Sequence, residues 1–255
     1  MRVRYDGSGI DQVYEAAWEL SPDSRAVWAT VLSEQIGRRP ITRVLEVGCG
    51  TGRFARLLLE LFPATVCGID PSGDMLRASV RASEPGGLRL IQGIAERLPL
   101  RAESVELVFL AWVYHHLHDR DAALAEFARV LRRDGRLVIA TGTRETLDSY
   151  LWMRFFPSAR LIDEERMPGR EAVMAAARRA GFDAERRTTV AQPTTRGLVA
   201  YAERIGRRAI STLRLVSDRE FEAGMRELRR YCAAHDRGQA VHEDVDLFVF
   251  RQSSD

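Results

Sequence analysis

Residues 44–53 read Val-Leu-Glu-Val-Gly-Cys-Gly-Thr-Gly-Arg. An apolar run meets an acid, Glu46, and three glycines follow at alternate positions: Gly48, Gly50 and Gly52. A helical pattern starts at once, with Phe54, Leu57, Leu58 and Leu61 apolar. Strand, glycine turn and helix open a nucleotide-binding α/β sheet. Glycine lets backbone approach a ligand where a Cβ would collide, and it tolerates φ > 0.

The spacing separates two cofactor classes. A dinucleotide fingerprint reads G-x-G-x-x-G and cradles a pyrophosphate at a helix N-terminus. Counted from Gly48, the sixth position is Arg53, so the third glycine is missing. An acid two residues before the first glycine also repels a pyrophosphate. It suits a ligand with an amino group and a sulfonium.

Working outward, apolar runs predict strands at 43–47, 65–69, 88–92, 105–111 and 136–141. Helices are expected near 52–62, 72–82 and 119–131, with Gly135 as a helix stop or turn before the fifth strand. Such alternation means a largely parallel sheet covered on both faces. The first 40 residues carry two helical patterns, one on Tyr14, Ala17 and Trp18, the other on Val27, Trp28, Val31 and Leu32. Beyond Thr143 the pattern predicts a helix at 170–179, a strand at 182–190, helices around 198–215 and 218–235, and a last strand at 245–250.

Composition excludes several chemistries. All 38 basic residues are Arg, against 36 acids, for a net charge of +2. Without Lys there is neither a lysine Schiff base nor a Walker A lysine. Charge is balanced in both halves, so no footprint for nucleic acid stands out. Cys49, Cys67 and Cys232 are far apart and form no C-x-x-C, which argues against a disulfide framework or structural zinc and fits a reducing cytoplasm. No His/Cys/acid cluster has metal-ligand spacing, so no metal is expected. No apolar stretch approaches the length of a membrane span, and no signal peptide is read.

The residues 44–53 resemble motif I of the class I S-adenosylmethionine-dependent methyltransferases, of the small-molecule, methyltransferase-11-like type. The resemblance continues in order. Strand two ends in Asp70, followed by Pro71-Ser-Gly-Asp-Met75; in the family this acid holds the cofactor ribose. The other reading of Asp70 is an N-cap for the next helix. Gln92-Gly-Ile-Ala-Glu-Arg-Leu-Pro-Leu100 resembles the adenine segment, with Ile94 in place of the usual acid. Ala95 offers backbone to the ring; Glu96 either takes over the adenine amino group or is simply solvated. Strand four and the following Trp112-Val-Tyr-His-His-Leu-His-Asp119 match a third motif, with Leu110 and Ala111 facing the methionine end. Tyr14 either closes over the methionine carboxylate or packs in the core.

The resemblance implies a Rossmann-like, mostly parallel seven-stranded sheet with helices on both faces, an antiparallel last strand and helical lid insertions. It implies one methyltransferase domain over 1–255: N-terminal helices at 1–40, a cofactor-binding core at 41–143, and lid segments with the last strands at 144–255. The implied cofactor is S-adenosylmethionine, held by Tyr14, Glu46, Gly48, Cys49, Gly50, Asp70, Pro71, Met75, Ala95, Glu96, Leu110 and Ala111. The acceptor is a small organic molecule, methylated on O, N or C. His115 and His116 are the candidate bases, since neutral imidazole is available near pH 7; the other reading is that they orient the loop. Trp152, Phe155 and Phe156 form the candidate acceptor wall, or pack the lid onto the body. A monomer or homodimer is expected, with no membrane partner. Competing readings are a nucleic-acid or protein methyltransferase, a nicotinamide oxidoreductase, and a cofactor-binding protein without turnover.

Overall fold

A computed structural model describes residues 6–7, 19–37, 40–82 and 86–253 of the chain. Within them, α1 (Pro22–Ile36) precedes β1 (Arg43–Val47), α2 (Arg53–Leu61), β2 (Thr65–Asp70), α3 (Gly73–Ala82) and β3 (Leu88–Gln92). Then come β4 (Val105–Ala111), α4 (Arg120–Val130), β5 (Leu131–Thr141), α5 (Pro157–Arg166), α6 (Arg170–Arg179), β6 (Phe182–Arg196), α7 (Leu198–Gly206), α8 (Asp218–His235) and β7 (Ala240–Gln252). The first N-terminal helix expected from the sequence, with Tyr14, lies outside the described residues.

The strands form one seven-stranded sheet in the order β3-β2-β1-β4-β5-β7-β6. β1 pairs in parallel with both β2 and β4, and β7 runs antiparallel to β5 and β6. This is the Rossmann-like sheet with a reversed last strand that the motif order implies. Winding reverses between β1 and β4, and ligands bind at the carboxyl ends of strands flanking such a point.

Alternation along the strands sends side chains to two covered faces. Trp28, Leu32, Phe54 and Leu58 pack over Val44, Val66, Phe109 and Val138 on one face. Leu124, Phe127, Val173 and Ala177 pack over Leu45, Val108, Ile139 and Phe248 on the other. A third apolar cluster sits apart from the sheet: Trp152, Phe156, Tyr201, Ile205, Leu213, Met225 and Leu228 come from the segments after β5 and before β7. These segments form a roof with a core of its own. Arg170 anchors it from α6, with Nε 2.7 Å from Oδ2 of Asp246, a fully buried β7 carboxylate that also accepts from Thr143 and Thr189.

Three local expectations are corrected and one element is added. Gly135 does not stop a helix: α4 ends at Val130, and Gly135 lies inside β5, where a Cβ would come 2.9 Å from the Glu106 carbonyl oxygen. Helix α5 is an addition: Pro157 stands at its first position, where proline's fixed φ suits a helix start. The helix expected through 198–215 stops at Gly206 and gives way to a short 3₁₀ turn, Thr212–Arg214. β6 extends to Arg196, past Pro193, which an edge strand tolerates because it needs no inner ladder donor.

Candidate active site

The turn after β1 is built by φ values that only glycine adopts freely. Gly48, Gly50 and Gly52 have φ of +67°, +53° and +79°. At Gly48 space is decisive as well: a Cβ would lie 2.2 Å from Cγ2 of Val113. Val113 is thrown over this turn by Trp112, whose φ of +58° is a strained value for a bulky residue. Packing holds it there. The Trp112 N–H donates to the Ala140 carbonyl at 2.8 Å, and its ring lies 5.7 Å from Trp28 and 5.8 Å from Phe54. The Arg53 guanidinium lies 4.9 Å from the centre of the Trp112 ring.

Asp70 is buried at the tip of β2. Its Oδ2 accepts the Gly50 N–H at 2.8 Å and its Oδ1 the Ser72 N–H at 2.9 Å. Ser72, not Asp70, caps α3, its hydroxyl accepting from the Met75 N–H. The carboxylate therefore ties the glycine turn to the end of β2. Burial raises its pKa, against the pull of the two N–H groups. An ionised carboxylate has about four acceptor positions, so it keeps capacity for two more donors.

Glu46 is buried in β1, and its Oε2 has no hydrogen-bond partner among the described residues. Burial pushes its pKa up to about 8; Arg53 and Arg56 pull it down, and Asp70 pushes it up. Its unpaired oxygen beside the glycine turn is satisfied by a proton or by a nearby positive charge.

After β4, Tyr114–His116 form a 3₁₀ turn. The rings of His115 and His116 lie 4.1 Å apart, and Nδ1 of His115 is buried without a partner. Burial, then the neighbouring His116, Arg166 and Arg120, holds the His115 pKa well below the usual histidine range, so it is neutral at physiological pH. Glu96 has a role that neither sequence reading gave it. Its Oε1 accepts the N–H groups of His118 and Asp119, at 2.7 and 3.2 Å, and so fixes the end of this loop.

One cavity, open to solvent at its mouth, joins the sheet edge to the roof. Of the candidates, Gly48, Gly50, Asp70, Pro71, Met75, Ala111, His115, His116 and Trp152 line it. Glu46, Cys49, Ala95, Glu96 and Leu110 do not; they lie behind or beside it. The expected acceptor wall divides. Trp152 lines the cavity, whereas Phe156 is fully buried against Phe221, and Phe155 packs on Tyr231. Both phenylalanines therefore have the alternative packing role. Not singled out from the sequence are Tyr150, Met153, Asp163, Ile210, Thr212 and Glu243, which all line the roof end. Only for Glu243 was a signal present, since it continues the buried alternation Glu243, Val245, Leu247 of the last strand.

Among the described residues no group of three or more His, Cys, Asp or Glu is placed to hold a metal ion. No helix among them is long and apolar enough to cross a membrane.

Residues 45–139 match the family described as "Methyltransferase domain". The chain is 37% identical over 139 residues to the malonyl-[acyl-carrier protein] O-methyltransferase of Methylococcus capsulatus, which covers 49% of this chain and 50% of that protein. It is 34% identical over 122 residues to the ubiquinone/menaquinone biosynthesis C-methyltransferase UbiE of Syntrophotalea carbinolica, covering 47% and 52%. The chain thus spans about half the length of the curated relatives it matches. A solved structure from Anabaena variabilis, provisionally named a methyltransferase of an antibiotic biosynthesis pathway, superposes with a TM-score of 0.73 at 19% identity, over 91% of this chain and 98% of that one.

Proposed function

We propose that this chain, which belongs to the class I S-adenosylmethionine-dependent methyltransferases through residues 45–139, moves a methyl group to an O, N or C atom of a small, partly apolar organic acceptor. The observation that carries the reading is the single cavity whose wall passes from Gly48, Gly50 and Asp70 to Trp152, Met153 and Ile210. Nucleic acid or a folded protein is a poor fit to a site roofed in this way.

The residues suit the cofactor. Glycines leave backbone bare where a Cβ would intrude, Asp70 retains acceptor capacity for ribose hydroxyls, and Glu46, buried behind the lining, acts on a positive methionine end through its charge and not by contact. When bound, S-adenosylmethionine supplies a methyl group already activated by its sulfonium. The chain then has to align the acceptor and exclude water, and orientation alone lowers barriers by roughly 7–11 kcal/mol in well-organised cases. Trp152, Met153 and Leu147 furnish the dry wall. His115, neutral and with an unpartnered ring nitrogen, is the group at hand to take a proton from an acidic acceptor; positioned bases contribute about 10²–10⁴-fold, and one with so low a pKa belongs at the weak end.

Calorimetry with S-adenosylhomocysteine and with NAD tests the reading. Binding of the first and not of the second is expected, and the reverse would overturn it. Asp70→Ala should weaken S-adenosylhomocysteine binding by about tenfold to a hundredfold, since each hydrogen bond to a charged acceptor is worth about 1.5–3 kcal/mol. An unchanged dissociation constant, with an unchanged melting temperature, would reduce Asp70 to a loop tie.

A further inference from the structure

The roof end of the cavity is lined by two buried carboxylates from distant parts of the chain. Asp163 of α5 is 2% exposed and Glu243 of β7 is 3% exposed. Each has one oxygen engaged. Oδ1 of Asp163 accepts the Thr212 hydroxyl at 2.7 Å, with Nη1 of Arg166 at 3.7 Å. Oε1 of Glu243 accepts the Tyr201 hydroxyl at 2.7 Å, with Nη1 of Arg204 at 3.5 Å. No further hydrogen bond reaches either carboxylate among the described residues. The phenol of Tyr150, which lines the same space, lies close enough to both acids that their charges, added to burial, push its pKa up.

Arg166 and Arg204 pair with these acids without being lining residues, so the described roof lining itself carries acids and no arginine. Arg53, at the glycine turn, is the one arginine among the described lining residues, and none lines the roof end. A second observation points to a ligand independently of the acids. Trp152 is 2% exposed and lines the cavity, yet its Nε1–H has no partner among the described residues. A buried donor left unsatisfied costs about 1–3 kcal/mol, so it favours an occupant with an acceptor atom.

We infer that, given the methyltransferase reading above, the acceptor is a small amine-bearing molecule whose N–H groups lie between Asp163 and Glu243 and whose largely apolar body lies against Trp152 and carries an acceptor atom for its Nε1–H. Ionised carboxylates only accept hydrogen bonds, so an amine or ammonium is complementary to the free oxygens. A carboxylate or phosphate in the same place meets two like-charged acceptors, whose own arginine partners Arg166 and Arg204 are absent from the cavity lining. Charge-assisted hydrogen bonds then select among acceptors of equal size, as apolar contact alone does not.

Calorimetry of protein saturated with S-adenosylhomocysteine tests this, with phenethylamine, phenethyl alcohol and phenylacetate as matched probes. Phenethylamine is expected to bind at least about tenfold tighter than phenylacetate, with the alcohol between. Asp163→Asn and Glu243→Gln should each weaken phenethylamine about tenfold, leave phenylacetate unchanged or tighter, and leave the S-adenosylhomocysteine dissociation constant unaltered. Equal binding of amine and acid, no amine binding in the millimolar range, or variants that keep the full amine preference would each overturn the inference. Melting curves identify a variant that fails to fold; the wild-type ratio and the other variant then decide. Failure of S-adenosylhomocysteine itself to bind would strike the methyltransferase reading, whereas its binding without amine preference strikes this inference alone.

Discussion

Phe156→Ala is expected to cost about 3–5 kcal/mol of stability while leaving cofactor affinity intact. Phe156 is fully buried, its ring centre lies 5.8 Å from that of Phe221, and it faces Gly224 of α8, where a Cβ would come 2.5 Å from its ring. Removing the ring leaves a void at the junction of the Leu151–Phe155 turn, α5 and α8 that helix backbones cannot collapse to fill. Trp152→Ala should behave differently. One side of this indole already faces the cavity, so truncation widens existing space and also deletes an unsatisfied donor. Its stability loss should fall below that of Phe156→Ala, and its main effect should be on acceptor affinity. Denaturant melts beside S-adenosylhomocysteine titrations separate the two. A Phe156→Ala loss below about 1 kcal/mol would mean that the roof is not a packed unit.

The unliganded protein should also lose stability as pH rises from 6.5 to 8, at a slope approaching about 1.4 kcal/mol per pH unit. The cause is Glu46, whose carboxyl is lifted by burial from 4.5 to about 8. A group with a raised folded pKa contributes its full stability below the unfolded pKa and loses it as pH climbs through the folded one. The window follows from the other titrating groups. His115 is held below 6.5, so its contribution is lost as pH falls under that value and is constant above it. Cys49, Cys67 and Cys232 are raised above 9, and their effect begins only beyond 8. Glu46→Gln should flatten the slope, and a slope unchanged in that variant would assign it elsewhere. Cofactor binding adds a second readout. A positive methionine end favours ionised Glu46, so binding near pH 7 should release a proton, measured as a binding enthalpy that depends on the buffer's heat of ionisation. No such dependence would remove Glu46 from the cofactor's surroundings.

The sequence determined the sheet's first half and one end of the site, because the signals there are local. Gly48, Gly50 and Asp70 are tied to their positions by φ values, by close approach and by hydrogen bonds over one strand and its turn. The same holds for β1 and β4, whose apolar runs are bounded by turn residues. Such features survive in a string of letters. Two kinds of information did not. The fate of an aromatic stripe depends on what it packs against: only the arrival of α8 made Phe156 core and left Trp152 on the cavity. The polar wall of the roof joins Asp163, on a helix that starts at Pro157, to Glu243 on the strand that closes the sheet. No spacing rule brings these acids together, since their meeting is set by how the roof folds over the carboxyl edge. Local backbone chemistry thus fixed where a cofactor can lie, and tertiary packing alone decided which side chains face the acceptor.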